Sequence, residues 1–147
     1  MDEKTNEPFR GYNIMVNVVG KRHATCWFDN FETGSDQYAS DRKLALQSVS
    51  DYARNLEAHK DNGTNLILFG SCGTGKDHLA ACVVRVALSL RWSVRYRRGS
   101  VICSECRQSS LESGRDVPPE LALVDLLVIS DIEPHADKPA SDFEQRA

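Results

Sequence analysis

Two short stretches of this chain are apolar in all but one residue. Residues 65–69 read NLILF between Gly63 and Gly70, and residues 126–130 read LLVIS before Asp131. Runs this brief, bounded by glycine or an acid, predict strands buried on both faces. Between them SVRYR, residues 93–97, alternates, with Val94 and Tyr96 on one side and Arg95 and Arg97 on the other. That is the pattern of an edge strand with one wet face. Ala45, Val49, Tyr52, Ala53 and Leu56 instead fall on one helical stripe, which predicts an amphipathic helix ended by the turn residues Asp61-Asn62-Gly63. Leu79, Val83, Val86, Ala87 and Leu90 repeat at the same spacing. Residues 101–111 predict a third helix and residues 121–124 a helical turn, separated by a loop over 113–119 with Gly114, Pro118 and Pro119. IMVNVV, residues 14–19, predicts a short strand. The rest of residues 1–36, with its basic step Lys21-Arg22-His23, is weakly patterned and is expected to form an N-terminal arm. After Pro134 the chain is polar and shows no further strand. Helices alternating with apolar strands imply a parallel sheet in an α/β layer fold.

At 147 residues, with 41% hydrophobic and 27% charged, the chain is sized and composed for one modest globular domain. The formal net charge of -3 supplies no global field for nucleic acid. No apolar run approaches the roughly 20 residues of a membrane helix, and MDEKTNEPFR lacks the apolar core of a signal peptide. A cytoplasmic protein is the expectation, with no membrane partner. Five cysteines, Cys26, Cys72, Cys82, Cys103 and Cys106, are then expected to be reduced. Cys103 and Cys106 form a CxxC, but a zinc site needs a second ligand pair. Two thiols sharing a helical face is the reading that follows.

The glycine-rich stretch supplies candidate chemistry. Residues 70–76, GSCGTGK, satisfy GxxxxGK. Glycine lets the backbone curl so that successive N–H groups point at phosphate oxygens. The following helix contributes its positive N-terminus, and Lys76 reaches the β- and γ-phosphates. An apolar run before the loop and an amphipathic helix after it give the motif its context. The expected nucleotide-binding residues are Gly70, Ser71, Cys72, Gly73, Thr74, Gly75, Lys76, Asp77 and His78. A partner motif is a second apolar run ending in a carboxylate, and LLVISD provides it. Of the usual acidic pair, the first helps hold Mg²⁺ and the second polarises the attacking water. Here Ser130 takes the first place and Asp131 the second. The hydroxyl expected after the lysine is likewise replaced, by Asp77. Between them Asp77 and Ser130 keep one carboxylate and one hydroxyl, and Mg²⁺ accepts either arrangement. The expected metal-binding residues are Asp77, Ser130 and Asp131, and the expected catalytic residues are Lys76 and Asp131.

NLILFGSCGTGKDHLA followed by VDLLVISDIEP, with FDNFET upstream, resembles the AAA+ ATPases of the DnaC/IstB group, helicase loaders and transposase helper proteins. The resemblance covers roughly residues 27–133. It implies an α/β P-loop NTPase fold, a three-layer sandwich with a central parallel sheet. It implies ATP and Mg²⁺ as cofactors, and ATP hydrolysis used to act on a DNA-bound partner, a replicative helicase or a transposase, with single-stranded DNA. It also implies self-assembly through the AAA+ interface. Members of the group continue past the second acidic motif with sensor residues and an arginine finger. The chain is therefore expected to be the N-terminal part of such a domain, residues 37–147, incomplete in its sheet. The alternative is a nucleotide-binding interaction module without hydrolysis. A small-molecule kinase ranks last, because residues 107–115 are too short and poorly charged for a mobile lid.

Two further clusters have plain readings. Arg91, Arg95, Arg97 and Arg98 could meet DNA phosphates, but an edge strand in an acidic chain favours a solvated face. His23, His59, His78 and His135 are scattered. His78 alone falls in the first turn after the loop, near where phosphate would bind.

Overall fold

The computed structural model describes residues 7–132, with side chains from Gly11 onward; His135, the polar tail and its DFEQRA segment lie outside the described residues. The chain divides into two compact units, residues 1–93 and 94–147.

The first unit is helical. Helix α1 spans Glu7–Val19, so the strand expected over residues 14–19 is a helix. The burial pattern gives the reason. Met15 and Val19 are buried while Asn17 between them is exposed; a period of 2 would put all three on one face, and a period of 3.6 sets Asn17 apart. Gly20, at φ 81, ends the helix. A 3-10 turn, Lys21–His23, touches both α1 and the later helix α4, Lys76–Ser89. A second turn spans Phe28–Asn30, where the Asn30 side chain accepts from the Trp27 N–H at 2.8 Å.

Helix α2 spans Ala39–Arg54 and α3 spans Leu56–Asn62. One stripe was expected to run through both. Val49, Ala53 and Leu56 are buried as that stripe requires, but the helix breaks at Asn55. Its side-chain amide donates to the Asp51 carbonyl at 2.9 Å, the local competition with the backbone ladder that lowers asparagine's helix preference. Gly63, left-handed at φ 72, terminates α3 as the turn chemistry predicts. Tyr52 stacks on His59 at 4.4 Å and donates to the Thr64 carbonyl at 3.0 Å, which holds the exit of α3 against α2.

Helix α4, Lys76–Ser89, is the centre of this unit. It packs on α2. Leu79, Val83 and Ala87 are buried as expected, and so are Ala81, Cys82 and Val84. Four consecutive buried residues mean that the helix is enclosed over most of its circumference, more than a one-faced amphipathic helix requires. Leu90, expected on the stripe, is exposed beyond the helix end. Met15, Val49, Cys82 and Val84 are the largest fully buried side chains.

Residues 65–69, expected as a buried strand, belong to no strand among the described residues. Ile67 is 82% exposed and Phe69 92%, while Leu66 and Leu68 are half-buried. A strand exists only through its ladder, and no described segment pairs with this one.

The second unit holds the sheet. Strand β1, Val94–Arg98, runs parallel to β2, Leu126–Ser130. The register sets Val94 opposite Leu126 and Arg98 opposite Ser130. Helix α5, Gly99–Ser113, makes the crossover and packs on β1, followed by α6, Pro119–Ala122. The helical turn expected over 121–124 therefore starts earlier, at the proline suited to a first helical position. Val94 is buried and Arg95 exposed, as the alternation predicts, but Tyr96 and Arg97 are alike half-buried. Strand β2 is only half-buried, with Ile129 exposed, rather than enclosed on both faces. The whole is α/β, mostly helical, with a small parallel sheet. No helix among the described residues is long and apolar enough to cross a membrane.

Candidate functional site

The loop over residues 70–76 takes the backbone course its glycines permit. Gly70, Gly73 and Gly75 stand at φ 145, 79 and 88, conformations that a side chain opposes. Helix α4 begins immediately, with Gly75 as its cap and Lys76 as its first residue. The first-turn N–H groups of a helix have no partner within it and are directed outward along its axis. The Lys76 ammonium folds back over the loop and donates to the Gly70 carbonyl at 2.9 Å and the Ser71 carbonyl at 2.8 Å. Thr74 donates its hydroxyl to the same Ser71 carbonyl at 2.9 Å. Ser71, Cys72, Gly73 and Thr74 are exposed, as is Asp77 in the first turn of α4. The loop thus brings together Gly70, Ser71, Cys72, Gly73, Thr74, Gly75, Lys76, Asp77 and His78 around one helix start.

A second layer supports it. The Phe31 ring lies against Gly75 so closely that a Cβ there would stand 2.6 Å from its Cε2 atom. Phe31 also meets the His78 ring edge-on, with centroids 5.3 Å apart. His78 Nε2 lies 2.9 Å from the Trp27 carbonyl. A carbonyl only accepts, so Nε2 carries the proton. Two turns further along α4, Arg85 donates to the Cys26 carbonyl at 3.1 Å and the Ala24 carbonyl at 2.5 Å, and its guanidinium sits 3.7 Å from the centre of the Trp27 ring. The segment before α2 is therefore clamped to α4 at two levels. Beside it Arg42 donates to the Thr33 carbonyl at 2.7 Å and pairs with Asp36. Asn30, Phe31, Glu32, Gly34, Arg42, Gly73, Thr74, Gly75 and His78 enclose a cleft of about 480 Å³. A ligand whose phosphates rest on the loop has that cleft directly beside it. Sequence reasoning did not assign Trp27, Phe31, Arg42 or Arg85 to this region. The aromatic-rich phrase FDNFET was the available signal, but their convergence depends on a fold that bridges about fifty residues.

Ser130 and Asp131 belong to the second unit. Ser130 ends β2 opposite Arg98. Asp131 takes a left-handed φ of 51, and its carboxylate is 3.5 Å from Arg98 Nε. Both partners are largely exposed, so the pair contributes little. Arg97 meets Glu105 at 3.5 Å, and Arg95 donates to its neighbour's carbonyl. Two of the four arginines are thus engaged with carboxylates of their own unit, and Arg91 belongs to the first unit.

Cys103 and Cys106 share α5, Cys106 buried and Cys103 half-buried. Burial first, then the neighbouring Cys103, Glu105 and Asp116, pushes the Cys106 thiol up. Among the described residues no group of three His, Cys, Asp or Glu side chains is arranged to hold a metal. Cys82, deep in α4, has its thiol pushed up to about 12, chiefly by burial. No protein-family model, curated protein or solved structure matches this chain.

Proposed function

We propose that this chain binds Mg-ATP through residues 70–78 and is an ATPase of the P-loop AAA+ type, similar to the DnaC/IstB group, that acts on a DNA-bound partner. One observation carries the binding half of the reading. Three glycines in side-chain-excluding conformations lead without interruption into a helix whose first residue is a lysine folded over the loop. Such a curl directs N–H groups to one point, and the helix start favours an anion there. The residues fit a triphosphate. The glycines admit close approach to the backbone, Lys76 supplies the mobile cation, and Asp77 supplies an oxygen ligand for the metal that accompanies it. Bound Mg-ATP supplies the transferable phosphoryl group. The protein's part is to position it, by exchanging the Gly70 and Ser71 carbonyls for phosphate oxygens at Lys76. The part of Asp131 in polarising water rests on the sequence motif LLVISD alone. The helicase or transposase partner and single-stranded DNA rest on the sequence resemblance alone.

The test is titration of a fluorescent ATP analogue against the parent chain and Lys76→Ala. Loss of the ammonium should weaken binding at least tenfold, since hydrogen bonds to a charged group are worth about 1.5–3 kcal/mol. Equal affinity of the two proteins would refute the reading. Phosphate release, with and without single-stranded DNA, then separates an ATPase from a module that only binds.

A further inference from the structure

We propose that Phe31 is a positioning residue of the phosphate loop proposed over residues 70–78, the reading on which this role rests. Its ring holds Gly75 so that the N–H groups at the loop's exit stay directed at phosphate, and it does so without touching a nucleotide base. Three glycines of the loop have positive φ, and their surroundings differ. A Cβ on Gly73 would meet nothing within 4 Å, and one on Gly70 only the loop's own Thr74 hydroxyl at 3.4 Å. At Gly75 the place of the missing side chain is filled from outside the loop, with Phe31 Cε2 2.6 Å from where a Cβ would stand. A glycine in open space moves between backbone conformations at little steric cost; one backed by a ring lacks that room. Gly75 is also where direction matters, because it caps α4 and its dihedrals orient the peptide that opens the helix. The N–H groups of that first turn have no partner within the helix and are the ones that meet an anion.

Phe31 is itself held from two sides. It closes the 3-10 turn Phe28–Asn30, its N–H donating to the Phe28 carbonyl at 3.3 Å. The Trp27 carbonyl at the head of that turn accepts from the Asn30 N–H at 3.3 Å and from His78 Nε2 at 2.9 Å, which ties the turn to the first turn of α4. The His78 ring then meets the Phe31 ring edge-on, at an interplanar angle of 80°. Two turns along α4, Arg85 fastens the same segment at the Cys26 carbonyl and the Trp27 ring. The ring therefore has a place set by the protein alone. It also borders the cleft beside the loop, where stacking on a base is the other use for an aromatic side chain; its contacts with Gly75 and His78 favour support of the loop.

The experiment compares two ligands that share phosphates and differ in the base. Mg-ATP and Mg-tripolyphosphate are titrated calorimetrically into the parent, Phe31→Ala, His78→Ala, His78→Gln and Lys76→Ala. The titrations run well below each protein's melting temperature, so that lost stability alone does not move the affinities. Phe31→Ala should weaken both ligands alike, by about three- to tenfold, the cost of ordering on binding what the ring orders beforehand. His78→Ala should weaken both as well, and His78→Gln, which keeps a donor for the Trp27 carbonyl, should recover part of the loss. If Phe31→Ala does not fold, Phe31→Leu, which keeps apolar bulk but no ring, takes its place with the same outcomes. Undiminished tripolyphosphate affinity in the Phe31 variant overturns the proposal; if ATP alone is weakened, the ring stacks on the base instead. Undiminished affinity in His78→Ala, or a His78→Gln protein that binds no better than His78→Ala, overturns the tether on which the ring's place depends. If the parent does not bind tripolyphosphate, or Lys76→Ala binds it as the parent does, the phosphate-loop reading fails and the role of Phe31 with it. If Lys76→Ala loses binding while the Phe31 variant does not, the positioning role alone fails.

Discussion

Replacing Gly75 with alanine tests how the loop is held. Two separable costs follow from the geometry. The first is intrinsic, because at φ 88 a residue with a Cβ pays about 1–2 kcal/mol. The second is steric. The new Cβ would lie 2.6 Å from Phe31 Cε2 and 3.1 Å from its Cζ, so the ring must turn away. Phe31 is half-buried with His78 at its side, and forcing a side chain off its rotamer costs about 0.5–1.5 kcal/mol. Together Gly75→Ala should destabilise by about 2–3 kcal/mol, a fall in Tm on the order of 5–10 °C for a chain of this size. Phe31→Ala removes the obstacle and leaves the backbone cost. In a double-mutant cycle by urea denaturation, the pair should therefore cost less than the sum of the single changes, by the steric share of about 0.5–1.5 kcal/mol. Additive costs would mean that Phe31 does not press on the loop. A Gly75→Ala protein as stable as the parent would mean that the left-handed loop is not the native conformation.

Arg85→Ala removes two charged donors to the Ala24 and Cys26 carbonyls and the contact with the Trp27 ring; a loss of about 2–4 kcal/mol is expected in denaturant titration, partly recovered by Arg85→Lys, and a loss below about 0.5 kcal/mol would contradict the clamp. Asp36 is held below its ordinary value of 3.8 by the Tyr38 N–H and then by Arg42. Its contribution is therefore complete above 3.8 and lost as the pH falls from there through the lowered folded value; an acid titration of stability should be shallower over that range in Asp36→Asn, and an unchanged slope would count against it. Toward a chromogenic disulfide at pH 8, exposed Cys72 should react while Cys82, with its thiol near 12, reacts only on unfolding. Saturating Mg-ATP should slow Cys72 and leave Cys103 unaffected, and an unaltered Cys72 rate would count against phosphate binding on the loop.

Local chemistry was readable from the sequence wherever it acts locally. The glycines of the loop require no partner to adopt left-handed backbone, so their places and the helix start at Lys76 follow from residue type. Gly63 ends α3 for the same reason. The helical spacing of residues 79–90 identifies α4, and the alternation in VRYRR with the apolar LLVIS identifies the two strands that pair. The tertiary structure decided whatever depends on a distant partner. An apolar run becomes a strand only when another supplies its hydrogen bonds, so NLILF and LLVIS, alike in sequence, end differently: one in no ladder among the described residues, with Ile67 and Phe69 exposed, the other paired with β1. Residues 14–19 are rich in β-branched side chains, yet burial of Met15 and Val19 on one face made them helix, because packing outweighs the weak preference of a short segment. The second layer behind the loop was equally out of reach, since Phe31 at Gly75 and Arg85 at Trp27 are joined by packing across half the chain, and no spacing rule connects residues so far apart.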